Sequence, residues 1–443
     1  MTPPRHRALS AAAALGALVL AAGCTASSSA GRDSADGPVT LTVWHGWTQD
    51  REVNAFNALL AKFHAAHPNI TVKAVPNVAD DKLAQGVRGS DGPDVEVSTT
   101  TDNVGQFCQS GTWINLDPKL TEAGINPMTT FPAQVLSYTR FGGTQCALPL
   151  LGDAFGLYYN KDLFAKAGIA APPKTMSELT RDAVKLQELN PDGSIKTAGY
   201  VPNFHFYESN PRDQLAQWRP NYLDKNGKSD LAAEPGVSDF LTWDRDTLRA
   251  LGGYDKLEAF RTATGDEFSA QNAFETGKVA MELDGEWRID NLTTDNVAMH
   301  WGVAPFPVPD NQAADYGIGY TSGTTIGISR ASKHQAAAWE LVKYLTTDTD
   351  AVTSFADAIK NVPTTFAALK ASDLAQDPNF KTFLDIFANP RSTTTPASPN
   401  GGQYQSTLQN FCFDWESGKT DDLKGGLAKV DKQIDTDNAQ AEQ

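Results

Sequence analysis

Nine tryptophans stand in this chain, many beside loop-type residues: Trp44-His-Gly-Trp47, Trp218, Trp243, Glu286-Trp287, Trp301 and Trp415. An indole buries an apolar face and leaves its polar edge available. Set in a cleft with Asp, Asn and His, such rings suit a ligand with one apolar C–H face and a fringe of hydroxyls. A sugar ring has that surface. Tryptophan also fills cores, so roughly two or three of the nine are expected at a ligand and the others inside the fold.

Other chemistry is missing from the sequence. There is no GxxxxGK[ST] loop to cradle a nucleotide phosphate and no HExxH. Gly319-Tyr-Thr-Ser-Gly323 has Thr where a GxSxG elbow needs its nucleophile. His64 and His67 lie three apart on a helix without an evident third ligand, so they read as a polar face and no metal is expected. No cofactor is expected either. Carboxylates are abundant, and a glycosidase pair at ~5–5.5 Å or ~6.5–9.5 Å is a matter of spacing in three dimensions. With 37 basic and 53 acidic residues, the net charge is −16. Nucleic acid, which needs a positive surface, is an unsuitable partner.

The chain opens with Arg5 and Arg7, then runs apolar from Ala8 to Ala22, interrupted only by Ser10. A span needs ~20 apolar residues, so this run is too short to cross a bilayer and fits the core of a signal peptide. It ends in Leu20-Ala-Ala-Gly-Cys24, which resembles the lipobox of bacterial lipoproteins. Residues 1–23 are then a signal peptide, Cys24 is the lipidated first residue, and the small polar stretch 24–38 is a flexible tether. Ordinary cleavage after a small residue is the alternative. Three cysteines are left over, Cys108, Cys146 and Cys412. Export permits one disulfide among three possible pairings. Cys108–Cys146 is favoured because both look like parts of the N-terminal lobe; three buried thiols is the other reading.

The elements that must position these residues follow from periodicity. Leu41–Trp44, Ile70–Val75 and Asp94–Val97 read as strands, with Trp44 inside the core. The segment from Asp50 to His67 carries Val53, Phe56, Leu60 and Phe63 at helical spacing, and Pro68 stops it. A short helix follows near Asn103–Ser110. Leu157–Asn160 is a strand before a helix at Lys161–Ala167. Further helices are expected at 177–188, 240–251, 256–263 and 334–345, and strands at 279–283 and 324–328. The Pro- and Gly-rich stretch Val303–Gly319 is expected to cross between lobes. Strands alternating with helices make an α/β protein.

Taken in order, several segments resemble one family. They are Leu41-Thr-Val-Trp-His-Gly-Trp47, Gly92-Pro-Asp-Val95, Leu157-Tyr-Tyr-Asn-Lys-Asp-Leu-Phe164, Phe274-Glu-Thr-Gly-Lys-Val-Ala-Met281 with Asp284-Gly-Glu-Trp287, and Ser332-Lys333 followed by Ala336–Leu345. The chain resembles the extracellular solute-binding proteins (family 1, maltose-binding-protein-like) of carbohydrate ABC importers, over nearly its whole length after Cys24. The resemblance implies a two-lobe periplasmic-binding-protein fold with a multi-segment hinge and a ligand cleft between the lobes. It places 39–152 and 321–360 in the N-terminal lobe and 153–320 and 361–443 in the C-terminal lobe, with crossings near Gly152-Asp153 and Tyr320–Ser322. The implied function is capture of a sugar or oligosaccharide and its delivery to permease subunits. The protein would work without catalysis, as a monomer held to the outer face of the cell membrane through the lipid anchor alone.

The resemblance also nominates residues. The loop after the first strand gives His45, Gly46, Trp47 and Thr48. The loop after the third gives Ser98 to Asn103, with Asp102 the best hydroxyl acceptor unless it only caps the next helix. Asp153 is an acidic contact. Phe204, His205 and Phe206 supply aromatics, Gly285 and Trp287 a stacking platform, and Tyr320 and Tyr404 further lining. Two other readings remain: a receptor of the same fold for a glycerol phosphoester or a peptide, and a secreted glycoside hydrolase. A phosphoester needs clustered Arg, and Arg288 is the one Arg in the nominated loops.

Overall fold

The computed structural model describes residues 37–86, 92–224 and 226–442. The signal peptide, Cys24 and nearly all of the tether lie outside these residues. The principal strands are β1 (Val39–His45), β2 (Ile70–Val75), β3 (Val95–Ser98), β4 (Leu148–Asn160), β5 (Met281–Gly285), β6 (Trp301–Pro305) and β7 (Thr321–Ile328). They form one seven-stranded sheet in the order β6-β4-β7-β3-β1-β2, with β5 also paired to β4. β1 runs parallel to β2 and β3, as strands joined through helices must. β4 meets β5, β6 and β7 antiparallel.

β4 is much longer than the strand expected at Leu157–Asn160. Its first half pairs with β7, from Leu148↔Ile326 to Ala154↔Thr321. Its second half pairs with β5 and β6, from Phe155 onwards. Residues 148–158 are buried almost without a break, so the strand shows no alternation for sequence reading to detect.

Two large cores flank this sheet. The first is built from Leu41 and Val43 of β1, Phe56, Leu60 and Phe63 of helix Asp50–Ala66, and Leu341, Val342 and Leu345 of helix Gln335–Thr347. The second gathers Leu179 and Ala183 of helix Met176–Leu186, Phe240 and Leu241 of helix Pro235–Ala250, and Leu408 and Trp415 of helix Gln403–Glu416. Local signals agree with the boundaries. Asn160 accepts bonds from the Asp162 and Leu163 amides to start helix Lys161–Ala167, and Gly168 ends it at φ 64°. Thr175 and Glu178 form a reciprocal capping box at the start of the next helix.

Two expectations shift. Val362, Phe380, Phe383 and Phe387 belong to the first core, whereas Tyr404 and later residues join the second. The change of core after residue 360 therefore comes between Phe387 and Tyr404, because the apolar face of helix Pro378–Ala388 lies along β4. The stretch Val303–Gly319 does not cross: β6 pairs with β4, Val308 bridges to Thr175, and the chain passes over only at β7.

Cys108 and Cys146 form a disulfide, and Cys412 is a buried free thiol. The bond staples helix Asn103–Gln109 to the strand entering the sheet, around the small core of Val104, Phe107 and Trp113. It closes a loop with a sequence separation of 38. Loop closure of that length is worth about 4 kcal/mol in the chain-entropy account. The double variant Cys108→Ser/Cys146→Ser is expected to unfold at a melting temperature several degrees lower; an unchanged melt by calorimetry would show that the bond adds nothing.

Candidate functional site

Three passages of chain meet at one point on β4. Gly152 exchanges backbone hydrogen bonds with Val362, at 2.8 and 3.1 Å. Asp153 stands opposite Ser322 of β7. Its carboxylate then collects one side chain from each of the other passages: Ser322 Oγ donates to Oδ2 at 3.2 Å, and Asn361 Nδ2 donates to Oδ1 at 3.3 Å. Asn361 Nδ2 also donates to Glu286 Oε1 at 2.8 Å, and the Ala154 amide donates to Glu286 Oε2 at 3.0 Å. Burial pushes the Asp153 carboxyl up to about 6, against the pull of Asn361 and Ser322. Burial pushes Glu286 well above the ordinary range, and the neighbouring Asp153 adds to it.

Above this knot opens a cleft of about 890 Å³. Leu151, Asp153, Thr324, Ile359 and Asn361 line it near the crossings. Trp47, Thr48, Thr99 and Arg51 line it from the β1–β3 side; Trp287, Arg288, Asp290 and Phe268 line it from the side of β5. Arg51 and Asp290 form an ion pair that spans the two walls.

Trp287 is half-buried at the start of helix Arg288–Thr294, directly after β5. Its ring meets Phe155 edge-on at 5.5 Å, and its Nε1 donates to Glu267 Oε1 at 3.3 Å. The ring lies over the backbone of Gly285, where any Cβ would fall inside it. Arg288 is fully buried behind it. Its Nε donates to Asp284 Oδ2 at 2.7 Å, Nη1 to Glu275 Oε1 at 3.0 Å and Nη2 to Glu267 Oε1 at 3.2 Å. That fork ties β5, the 267 turn and the 275 turn into a rigid backing for the indole. Burial with Asp284 nearby pushes Glu267 up to about 8, Arg288 opposing.

A smaller pocket of about 240 Å³ joins the same two sides of the chain. Asp102 lines it with Arg212, Asn210, Tyr222 and Gln405. Asp102 makes no capping bond to helix Asn103–Gln109; its Oδ1 instead accepts from Gln405 Nε2 at 2.7 Å. Arg212 donates to Asp213 at 3.2 Å and lies over the Tyr320 ring at 5.7 Å.

The structure thus brings Trp47, Thr48, Thr99, Asp153 and Trp287 to one cleft, with Gly285 beneath the indole, and Asp102 to its neighbour. Several other nominated side chains lie elsewhere. His45 is fully buried between Trp47 and Phe56, with neither ring nitrogen bonded, and burial lowers it to about 4. The alternation of β1 explains this: Leu41, Val43 and His45 share the inner face, and Trp44, expected in the core, is half-buried on the other. Ser98 is buried and donates to Asp80 at 2.7 Å. Phe204 packs on Phe240, and Phe206 stacks on Tyr207, both inside the second core. His205 is exposed but stacks on Phe413 at 3.8 Å, beside a separate pocket. The Tyr320 and Tyr404 rings are buried, their hydroxyls bonded to Thr395 and the Pro396 carbonyl. Among the described residues no cluster of His, Cys, Asp and Glu could hold a metal ion.

Sequence reading missed Asn361, Glu286, Phe268 and Arg212. Glu286 lay inside a quoted motif. Asn361 follows the helix Thr349–Ile359 and carries no signal of its own; only the fold brings it to Asp153.

The sheet, the crossings and the cleft between two halves define a class. The chain belongs to the bacterial extracellular solute-binding protein family, whose model matches residues 48–352. Its architecture is the two-lobe α/β fold of the periplasmic sugar-binding proteins. Among relatives, it is 26% identical over 419 residues to the maltodextrin-binding protein MdxE of Bacillus subtilis, covering 92% of both chains. It is 21% identical over 345 residues to the maltotriose-binding protein of Pyrococcus abyssi, covering 76% of this chain and 69% of that one. Among solved structures, CpMnBP1 with mannotriose bound matches at a TM-score of 0.76 and 25% identity, over 89% of this chain and all of that one. The sugar-binding protein MalE of Xanthomonas citri shares the fold at a TM-score of 0.73 and 20% identity, over 91% and 98%.

Asp153 gives a pH test of this geometry. A carboxyl raised to about 6 in the folded chain holds its proton more tightly there than when unfolded, where 3.8 is ordinary. Its contribution is complete below pH 3.8 and is lost as the pH rises through about 6. Asp153→Asn can accept from Asn361 through Oδ1 and donate to Ser322 Oγ through Nδ2, and it cannot titrate. The stability of wild type relative to Asp153→Asn is expected to fall by about 1–3 kcal/mol between pH 4 and pH 7. A difference in denaturant midpoints that stays flat over that range would refute the assignment.

Proposed function

We propose that this protein captures a neutral sugar or oligosaccharide in the cleft above Asp153 and delivers it to the permease subunits of an ABC importer. The observation that carries the reading is the Trp287 platform, backed by Arg288 and facing a cleft whose floor holds Asp153 and Asn361. A flat aromatic face takes the C–H side of a sugar, and planar polar groups take its hydroxyls. The matched relatives are binding proteins, and we read this chain as non-catalytic. A phosphoester cargo has less support, because each arginine at the two pockets already has a carboxylate: Arg288 has Asp284, Arg51 has Asp290 and Arg212 has Asp213. Contacts from both walls, such as Arg51–Asp290 and Gln405–Asp102, favour a closed form when cargo adds its own.

A thermal-shift panel of mono- and oligosaccharides, including mannotriose and maltotriose, tests the reading. A ligand at a hundred times its dissociation constant stabilises by ~2.7 kcal/mol. Trp287→Ala is expected to weaken the responding sugar by about tenfold or more while remaining folded, since one aromatic platform contributes ~1–3 kcal/mol. Unchanged affinity by titration calorimetry would remove Trp287 from the site, and silence from the whole panel would sink the sugar reading.

The family is extracellular. We place the chain on the outer face of the cell membrane through lipid on Cys24. Among the described residues no helix is long and apolar enough to cross a membrane. Cys24→Ala is expected to move the protein from the membrane fraction to the medium; wild type found wholly in the medium would contradict the anchor.

A further inference from the structure

Helix Asn103–Gln109 has only 7 residues, and Asp102 before it makes no capping bond. Isolated helices are marginal below roughly 12–15 residues, so this one depends on what holds it. One support is the Cys108–Cys146 disulfide, which joins its last turn to the chain just before β4, the strand that carries Asp153. The other is a strap, residues 393–402, which runs from helix Pro378–Ala388 on the first core to helix Gln403–Glu416 in the second. A Cβ on Gly105 would fall on the Ser398 carbonyl, so helix and strap touch backbone to backbone there. Ala397 of the strap packs on the small core of Val104, Phe107 and Trp113, beside Cys108. A Cβ on Gly402 would come within 2.7 Å of Asp102 Oδ2, and Gln405 Nε2 donates to Asp102 Oδ1 at 2.7 Å.

The strap itself is tied to the second core. Tyr404, buried in that core, donates to the Pro396 carbonyl at 2.8 Å. Ser398 Oγ donates to Asn438 Oδ1 at 3.1 Å, on helix Leu423–Ala441, and Asn438 Nδ2 donates to the Gly227 carbonyl at 3.0 Å. The seat of the strap on helix Asn103–Gln109 is therefore a contact between the two halves, made by other residues than the knot at Asp153. It puts Asp102 on one wall of the smaller pocket and Gln405, with Arg212, on the other. We infer that Gly105 and the Cys108–Cys146 disulfide are positioning residues for ligand binding. The staple fixes the helix against β4, the glycine lets the strap seat on the helix, and together they set the gap across the smaller pocket. Walls held in place before the ligand arrives lose little freedom on binding, which is the advantage of preorganisation. The disulfide then acts on affinity as well as on stability. What fills the pocket rests on the sugar reading given above; the coupling of staple, helix and strap does not.

The test compares wild type, Cys108→Ser/Cys146→Ser, Gly105→Ala and Leu345→Ala, well below the melting temperature of each. Leu345 is buried in the first core away from the strap, so its variant is the control for general loss of stability. The first arm is hydrogen exchange without ligand. Protection is expected to fall about tenfold or more in residues 102–109 and in the strap together, in both the cysteine and the glycine variants, while β4 keeps its protection. The second arm is titration calorimetry with mannotriose and maltotriose. The one that binds wild type is expected to bind both variants about tenfold or more weakly and Leu345→Ala as wild type does. If the cysteine variant does not fold, Gly105→Ala decides, since it keeps the disulfide. Unchanged strap protection, wild-type affinity in Gly105→Ala, or an equal loss in Leu345→Ala would overturn the inference and leave the sugar reading intact. If wild type binds neither sugar, the sugar reading loses its support, and joint loss of protection in helix and strap still upholds the coupling.

Discussion

Three separate passages of this chain have to meet on one strand, and the Asp153 carboxylate is the group they share. Ser322 and Asn361 reach it from strands and loops 169 and 208 residues away in sequence. The consequence is geometric. Once β4, β7 and the 361 turn are pinned together, the cores on either side of them are fixed relative to the floor of the cleft. Burial outweighs the two hydrogen bonds and the more distant charge of Arg212, so the carboxyl is pushed upward. Each oxygen already accepts one hydrogen bond, from Ser322 or Asn361, and each has a second lone pair for a ligand hydroxyl.

The second fixed point is Arg288. A buried guanidinium surrounded by Asp284, Glu275 and Glu267 adds little net stability compared with an apolar substitute of the same volume. Losing one partner is costly, at about 3–5 kcal/mol, because a buried charge is then left uncompensated. Such a network therefore favours one arrangement of three loops over others. That arrangement is the one in which Trp287 lies flat over Gly285 and Phe268 projects at the rim.

Much of this was legible in the residues. Helix Asp50–Ala66 follows from the spacing of Phe56, Leu60 and Phe63, and Trp287 stood out because an aromatic follows a strand and a glycine. Disulfide partners Cys108 and Cys146 were readable as near neighbours, although sequence alone left three pairings. The face of β1 was also available: a period of two from Leu41 and Val43 puts His45 inside, and the attraction of a histidine beside tryptophans hid it. Two features were beyond reach. β4 is buried on both faces and has no alternation, so only its end, Leu157–Asn160, was read as a strand. Tyr320 and Tyr404 have hydroxyls that find partners only in the folded chain, Thr395 and the Pro396 carbonyl, which lets them be buried whole.

The continuity of β4 has a mechanical consequence. A 13-residue strand serves both halves of the sheet without interruption, and Gly152 lies under the Phe387 ring, where a larger residue would not fit. Halves joined by a loop swing freely, with no restoring force. Halves joined by a shared strand twist it, and each peptide plane yields a few degrees while the ladder bonds persist. Any opening or closing of the cleft must therefore twist β4 itself, and the ladder it shares with β7 resists that twist.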